Sequence, residues 1–241
     1  MTIIDARGKH FRDLNREIKD AGDAEILVQN CNGQRYIGAG VDNAVIKING
    51  VPGNALGAYL NNCEIHVNGN AQDATGDTMN GGKIIIHGNS GDATGYAMRG
   101  GVIYISGNVG YRAGVHIKSY GEFKPVIIIG GKTGNFLAEY QAGGMIVLLN
   151  LGKLQNPAGD FIANGMHGGE IYIRNADADA LRLSDRLVYG EAAKSDLDEI
   201  SKNIEEYCGI FGLDYKEIMS GRFIRITPNT LSPYKQLYVN N

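Results

Sequence analysis

Several groups of residues in this chain could do chemistry, and their spacing decides which chemistry that would be. Gly131-Lys132-Thr133 reads like the end of a phosphate-binding loop. Such a loop needs a glycine five positions before the one that precedes the lysine, so that backbone N–H groups can cradle a phosphate. Position 126 is Val and no helical pattern follows directly, so a turn is expected there instead. Asp73 and Asp92 are 19 residues apart, as are Thr75 and Thr94. Stacked carboxylates can hold calcium, but calcium-binding rolls use nine-residue repeats. A ladder of hydrogen-bonded turns is the expectation. The histidines His10, His66, His87, His116 and His167 include no pair at metal-ligand spacing. Cys31, Cys63 and Cys208 form no CxxC, which leaves a zinc or iron–sulfur site without support and fits reduced thiols.

The cations Arg35, Arg99, Arg112 and Lys118 fall in or beside expected turns. A guanidinium in a turn can fork onto a carboxylate or phosphate and an ammonium offers a point charge, which makes these four candidate interface residues. No nucleophile elbow and no dinucleotide fingerprint is present. The expected site therefore has no catalytic, cofactor-binding or metal-binding residue, only interface positions.

The elements that must carry these residues follow from a repeat. Gly50, Gly69, Gly88 and Gly107 step by 19 residues, and so do Gly57, Gly76, Gly95 and Gly114. The strand residues Ile48, Val67, Ile86 and Ile105 form a third row with the same period. Each unit reads as a short strand, a glycine turn, a small-residue stretch and a turn into the next strand. Val126–Gly130, Met145–Leu149 and Ile171–Arg174 continue it, with about four residues inserted around Ser119–Pro125 and more at about Lys153–Asp160. The expectation is a mainly β fold: a single-stranded, right-handed parallel β-helix of about seven ~19-residue rungs over 45–176.

Period-two alternation would place Ile46/Ile48, Ile65/Val67, Ile84/Ile86, Ile103/Ile105, Val126/Ile128, Ile146/Leu148 and Ile171/Ile173 in one aliphatic column. The opposite face is polar early (Lys47, Glu64, His66, Lys83) and apolar late (Ile127, Ile129, Val147, Leu149). The chain's own C-terminal segment is expected to cover the apolar part. A partner is the other reading, which adds Ile127 and Val147 to the candidate interface. Residues 1–44 are expected to form an N-terminal cap with a helix at Phe11–Ala21 ended by Gly22, and with strands at Glu25–Gln29 and Gln34–Ile37. Residues 177–241 should form a helical extension packed on the repeat. Its expected helices start at Ser195-Asp-Leu-Asp198 and span Asp214–Met219, and a strand is expected at Phe223–Ile226.

Composition narrows the function classes. Among 241 residues, 35 are Gly and only 5 are Pro, which suits recurrent turns better than disorder. A formal net charge of −3 with 20% charged residues gives no basic excess to drive binding to nucleic acid or an anionic membrane. The N-terminus lacks a signal-peptide pattern and no apolar run is long enough to span a bilayer, so a cytoplasmic protein is expected.

The stretches Asn32-Gly-Gln-Arg-Tyr-Ile-Gly38, Gly50-Val-Pro-Gly-Asn54, Gly91–Gly101, Gly110-Tyr-Arg-Ala-Gly-Val-His-Ile-Lys118 and Glu139-Tyr-Gln-Ala-Gly-Gly144 carry a family likeness. Together they closely resemble the C-terminal domain of the glutamate synthase large subunit, also called the GXGXG domain. The resemblance covers nearly the whole chain, including the tail around Phe223–Pro228 and Tyr234. It implies a non-catalytic structural subunit of a glutamate-synthase-type complex, in which partner subunits transfer ammonia from glutamine to 2-oxoglutarate. The implied partners are a glutamine amidotransferase subunit and an FMN/iron–sulfur synthase subunit. FMN and iron–sulfur clusters would then sit in the partners, with no cofactor in this chain. One component of formylmethanofuran dehydrogenase and one of N-methylglutamate synthase share the superfamily and give the alternative. A free-standing β-helix enzyme or binding protein, and a homo-oligomer using the apolar late strands, are readings of other classes.

Overall fold

The structure, a computed structural model, describes residues 1–22 and 25–229. Tyr234 of the expected tail lies outside the described residues. The elements in chain order are β1 (Thr2–Asp5), α1 (Phe11–Ala21), β2 (Glu25–Asn32), β3 (Val45–Val51), β4 (Glu64–Asn68), β5 (Lys83–Ile86), β6 (Val102–Ile105), β7 (Val126–Ile129), β8 (Ala142–Leu148), β9 (Gly168–Arg174), β10 (Leu187–Glu191), α2 (Lys194–Phe211), α3 (Tyr215–Met219) and β11 (Phe223–Pro228).

These strands correct the expected fold class. In place of a right-handed β-helix with a helical cap and a helical tail, hydrogen bonds join all eleven into one open sheet, in the order β1-β2-β3-β4-β5-β6-β7-β8-β9-β11-β10. Strands β1 to β9 run parallel, while β11 is antiparallel to both β9 and β10. Two physical causes separate expectation from structure. Each repeat supplies only one strand, because its glycine-rich stretch places alternate residues at positive φ. Ala74, Gly76 and Thr78 sit at 56°, 71° and 53°, and Ala93, Gly95 and Ala97 at 54°, 72° and 51°. Such backbone cannot pair as an extended strand, so it stacks as turns. The C-terminal segment also joins the sheet: the strand expected at Phe223–Ile226 is β11, and it pairs antiparallel with both β9 and a second strand, β10.

The 19-residue period sets the register. Val45 pairs with Glu64, Glu64 with Lys83 and Lys83 with Val102. The next step is longer: Val102 pairs with Val126 and Ile103 with Ile127. The aliphatic column therefore runs Ile46, Ile65, Ile84, Ile103, Ile127, Ile146, Ile171, all fully buried in one cluster with Ile48, Val67, Ile86, Ile105, Ile129, Leu148 and Ile173. The placement of Val126 and Ile128 in this column is corrected, since both belong to the opposite face. The insertion is five residues rather than four, and that one-residue difference in register moves every side chain of the strand to the other face.

On that opposite face the chain covers itself. Ile85, Tyr104, Ile128, Met145, Val147, Leu149 and Tyr172 pack against Ile200, Ile204, Tyr207 and Cys208 of α2 and against Ile218 and Phe223. Tyr207 Oη donates to the Ile105 carbonyl at 2.9 Å, pinning α2 to β6. Helix α2 starts where Asp196 accepts from the Ala193 N–H at 2.8 Å, and it ends at Gly212, whose φ of +68° turns the chain out of the helix. At the other end Leu14 and Ile18 of α1 join the main core. Gln34–Ile37, expected as a strand, forms none and leads into a turn over residues 37–40. Its Gln34 side chain is buried, donating to the Ala6 carbonyl at 2.8 Å and accepting from the Asn32 N–H at 2.7 Å.

Candidate functional site

The residues with chemical potential are largely engaged in the architecture. The Asp73 carboxylate accepts the Asp92 N–H at 2.9 Å, and the Asp92 carboxylate accepts the Tyr111 N–H at 2.8 Å. Asn70, Asn89 and Asn108 do the same one turn earlier, with Asn108 accepting from the Lys132 N–H at 3.0 Å. The phosphate-loop look-alike at Lys132 is thus the end of an asparagine ladder. Cys31, Cys63 and Cys208 are buried, and burial pushes the Cys31 and Cys63 thiols up to about 11, where the thiolate is scarce near neutral pH. Among the described residues no group of three or more His, Cys, Asp or Glu side chains is arranged to hold a metal ion.

A charged network lies where β9 meets β11. Glu170 pairs with Arg225 and lies 3.6 Å from Lys124, which also pairs with Glu199. Arg225 Nε is 3.5 Å from the Asp196 carboxylate without a hydrogen bond. Burial opposes ionisation of Glu170, but the Arg225 hydrogen bond and the charges of Arg225 and Lys124 outweigh it and hold the carboxyl below its usual range. Tyr104 donates to Glu206 at 2.9 Å, and burial first, then that carboxylate, pushes its phenol up. Both groups tie the C-terminal segment across the sheet, which is structural work rather than catalysis.

The sequence-predicted interface residues separate into three places. Ile127 is fully buried in the main column, and Val147 is fully buried beneath the C-terminal segment, so neither side chain lies on this chain's surface. Arg35 is exposed at the N-terminal end of the repeats, where its carbonyl accepts from Asn15 at 2.8 Å. Arg112 occupies a left-handed turn position at φ +60°, with its guanidinium 5.4 Å from the Phe136 ring centre and 4.0 Å from Glu139. Phe136 in turn stacks on Phe161 at 5.0 Å.

Arg99 and Lys118 come together. They line a surface groove of about 530 Å³ with Asn61, Asn80, Tyr120 and Phe123. Asn61, Asn80, Arg99 and Lys118 are each one 19-residue repeat apart. Backbone bonds hold them in a row, since Asn80 N–H donates to Leu60, Arg99 N–H to Met79 and Lys118 N–H to Met98, at 2.9, 2.8 and 3.0 Å. The two aromatic residues are what sequence reading missed. They stand on the inserted loop, where Tyr120 and Phe123 exchange two 3.0 Å backbone hydrogen bonds around Gly121 at φ +56°. A glycine at the first corner of a two-residue hairpin is the available signal. The groove joins two cations, amide groups and aromatic faces, a set suited to recognition of an anionic partner rather than to bond-making.

The chain is 40% identical over 251 residues to uncharacterized protein MJ1350 of Methanocaldococcus jannaschii, a match spanning 98% of this chain and 95% of that protein. A chain in the X-ray crystal structure of the formyltransferase/hydrolase complex (FhcABCD) from Methylorubrum extorquens in complex with methylofuran is similar with a TM-score of 0.68. That likeness covers 96% of this chain and 93% of the other at 19% sequence identity, and it shows a shared fold. The family described as the GXGXG motif matches residues 19–229, and the chain belongs to that GXGXG family.

Proposed function

We propose that the chain is a non-catalytic subunit of a multi-subunit enzyme complex, in the manner of the GXGXG component of formylmethanofuran dehydrogenase. The observation that carries this reading is the likeness, over nearly the full length of both chains, to a chain crystallised within the formyltransferase/hydrolase complex. The commitment of the ladder carboxylates and the buried thiols to the fold supports the non-catalytic part. A glutamate-synthase-type complex is the second reading, favoured by the stretches at residues 32–38 and 110–118. In that case FMN, iron–sulfur clusters and the amidotransferase reside in partners; an N-methylglutamate synthase component is the variant of the same reading.

The test is a gentle affinity purification of the tagged chain from its native source, with identification of the co-eluting chains. Formyltransferase, hydrolase or tungsten- or molybdenum-pterin subunits support the first reading. An amidotransferase together with an FMN/iron–sulfur protein supports the second. Turnover of a small substrate by the isolated chain overturns both.

A further inference from the structure

We propose that β10 is a self-complementary edge, through which two copies of this chain join their sheets about a two-fold axis at Tyr189. The proposal goes beyond membership of a complex and does not depend on it. β10 ends the eleven-strand order and has β11 on one side only. Even-numbered residues face β11, since Ala192 N–H donates to the Phe223 carbonyl at 2.8 Å and Asn229 N–H to the Arg186 carbonyl at 2.9 Å. The pairing from Leu187 with Pro228 to Glu191 with Ile224 runs without a shift of register, so the odd-numbered residues aim their backbone groups outward. Leu187 N–H donates to the Ser184 carbonyl at 3.1 Å. The Leu187 carbonyl and both backbone groups of Tyr189 and Glu191 have no partner among the described residues. Open edges are usually guarded by a lysine, a proline or a bulge, and the strand Leu187-Val-Tyr-Gly-Glu191 has none of these. It exposes two large apolar side chains instead, Val188 at 53% and Tyr189 at 47%.

The occupant that matches this edge is the same strand of a second copy, run antiparallel. Centred on Tyr189, the pair sets Tyr189 against Tyr189, Val188 against Gly190 and Leu187 against Glu191. The two Tyr189 exchange their N–H and C=O groups, and each Glu191 N–H donates to the opposite Leu187 carbonyl. Tyr189 pairs with Ile226, which is fully buried in the aliphatic column, so the two rings meet on that face and extend the column across the seam. On the other face each Val188 lies over the opposite Gly190, where an added Cβ has nothing of its own chain within 4 Å. Charge selects the same register. The two Glu191 stand about 14 Å apart along the strands, beyond the screening length of about 8 Å at physiological salt. Each instead falls one residue from Arg186 of the other copy, and neither side chain has an ion pair within its own chain among the described residues. An axis at Gly190 would bring the two Glu191 to about 7 Å along the strands, inside the screening length. The same screening makes the formal charge of −3 on each copy a weak obstacle. A strand of another sequence could use the same backbone groups, but the match of Tyr to Tyr, Val to Gly and Arg to Glu belongs to this strand set against itself.

The test is sedimentation velocity of the full chain, purified alone, over a rising series of concentrations. Tyr189→Pro removes the outward N–H and leaves the ladder to β11 intact, because that ladder uses the even-numbered residues. Two double variants, V188E/G190E and V188E/G190K, put like or opposite charges on the facing pair. Positions 188 to 190 are exposed, and unchanged circular dichroism verifies that each variant folds. The expected result for wild type is a monomer–dimer equilibrium that goes no further than the dimer, as a closed two-fold contact requires. Tyr189→Pro and V188E/G190E should each weaken it more than about tenfold, and V188E/G190K should dimerise again. The inference is overturned if wild type stays monomeric throughout the series or if Tyr189→Pro associates as tightly as wild type. It is equally overturned if V188E/G190E and V188E/G190K behave alike. None of these outcomes touches membership of a complex, which co-purification from the native source reads separately.

Discussion

Replacing Gly95 by alanine should be among the more damaging single-methyl changes in this protein, and its cost should be removable from across the core. Gly95 sits at φ +72°, and a Cβ there would lie 2.4 Å from Ile127 Cδ1 and 3.5 Å from Ile127 Cγ1. The left-handed backbone costs an L-residue about 1–2 kcal/mol. Forcing a methyl into a packed core adds about 1–3 kcal/mol. The sum for Gly95→Ala is about 2–5 kcal/mol. Ile127→Val deletes the Cδ1 atom that is struck, at a cost of its own of about 0.5–1.5 kcal/mol. In the double variant the collision disappears, so its destabilisation should fall short of the summed singles by about 1–3 kcal/mol. Urea unfolding of wild type, both singles and the double, followed by circular dichroism with slopes compared, measures this cycle. Ala93→Gly, at a neighbouring left-handed position with φ +54°, is the control, and it should be neutral or mildly stabilising. Strict additivity of Gly95→Ala and Ile127→Val would refute the close approach of the turn row to the aliphatic column.

Other outcomes follow from the same geometry. Tyr207→Phe removes a buried 2.9 Å hydrogen bond to the Ile105 carbonyl and should cost about 1–2 kcal/mol, read as a lowered melting temperature with faster hydrogen exchange in α2. Glu170 has a folded-state pKa below its unfolded value, so its stabilisation is present above the unfolded carboxylate range and is lost as pH falls through the lower folded value. Thermal melts between about pH 7 and pH 3 should therefore show a smaller acid-induced loss in Glu170→Gln than in wild type. Cys31 and Cys63, buried and shifted to about 11, should react with iodoacetamide near neutral pH only on the timescale of unfolding, which mass spectrometry of labelled peptides will follow.

The sequence displayed the period clearly where turns and strands alternate in chemistry. Glycine rows and the pairs Ile46/Ile48 through Ile103/Ile105 located β3 to β6 and their inward faces. Legibility failed at Val126-Ile-Ile-Ile129, because both faces of β7 are covered and four apolar residues in a row carry no period-two signal. Counting from Gly130 instead of Gly131 then moved the register by one residue. The fold class failed for a related reason, since propensity does not reveal that alanine, threonine and arginine adopt left-handed backbone when neighbouring repeats supply their hydrogen bonds. Of the candidate site, Arg99 and Lys118 were readable as turn cations, but their alignment needed the ladder register. Tyr120 and Phe123 were hidden inside an insertion whose hairpin depends on a single glycine.

The stacked turns have an electrostatic consequence. In one repeat the Ala74 N–H points forward to the Asp92 carbonyl, the Gly76 N–H points back to Leu56, and the Thr78 N–H points forward again to Tyr96. Peptide dipoles two residues apart therefore oppose one another, whereas in an α-helix they add to about half a charge at each end. A stack built this way accumulates no macrodipole as it lengthens. Its ends need no counter-charge, and repeats can be gained or lost over time without building up a backbone dipole along the stack.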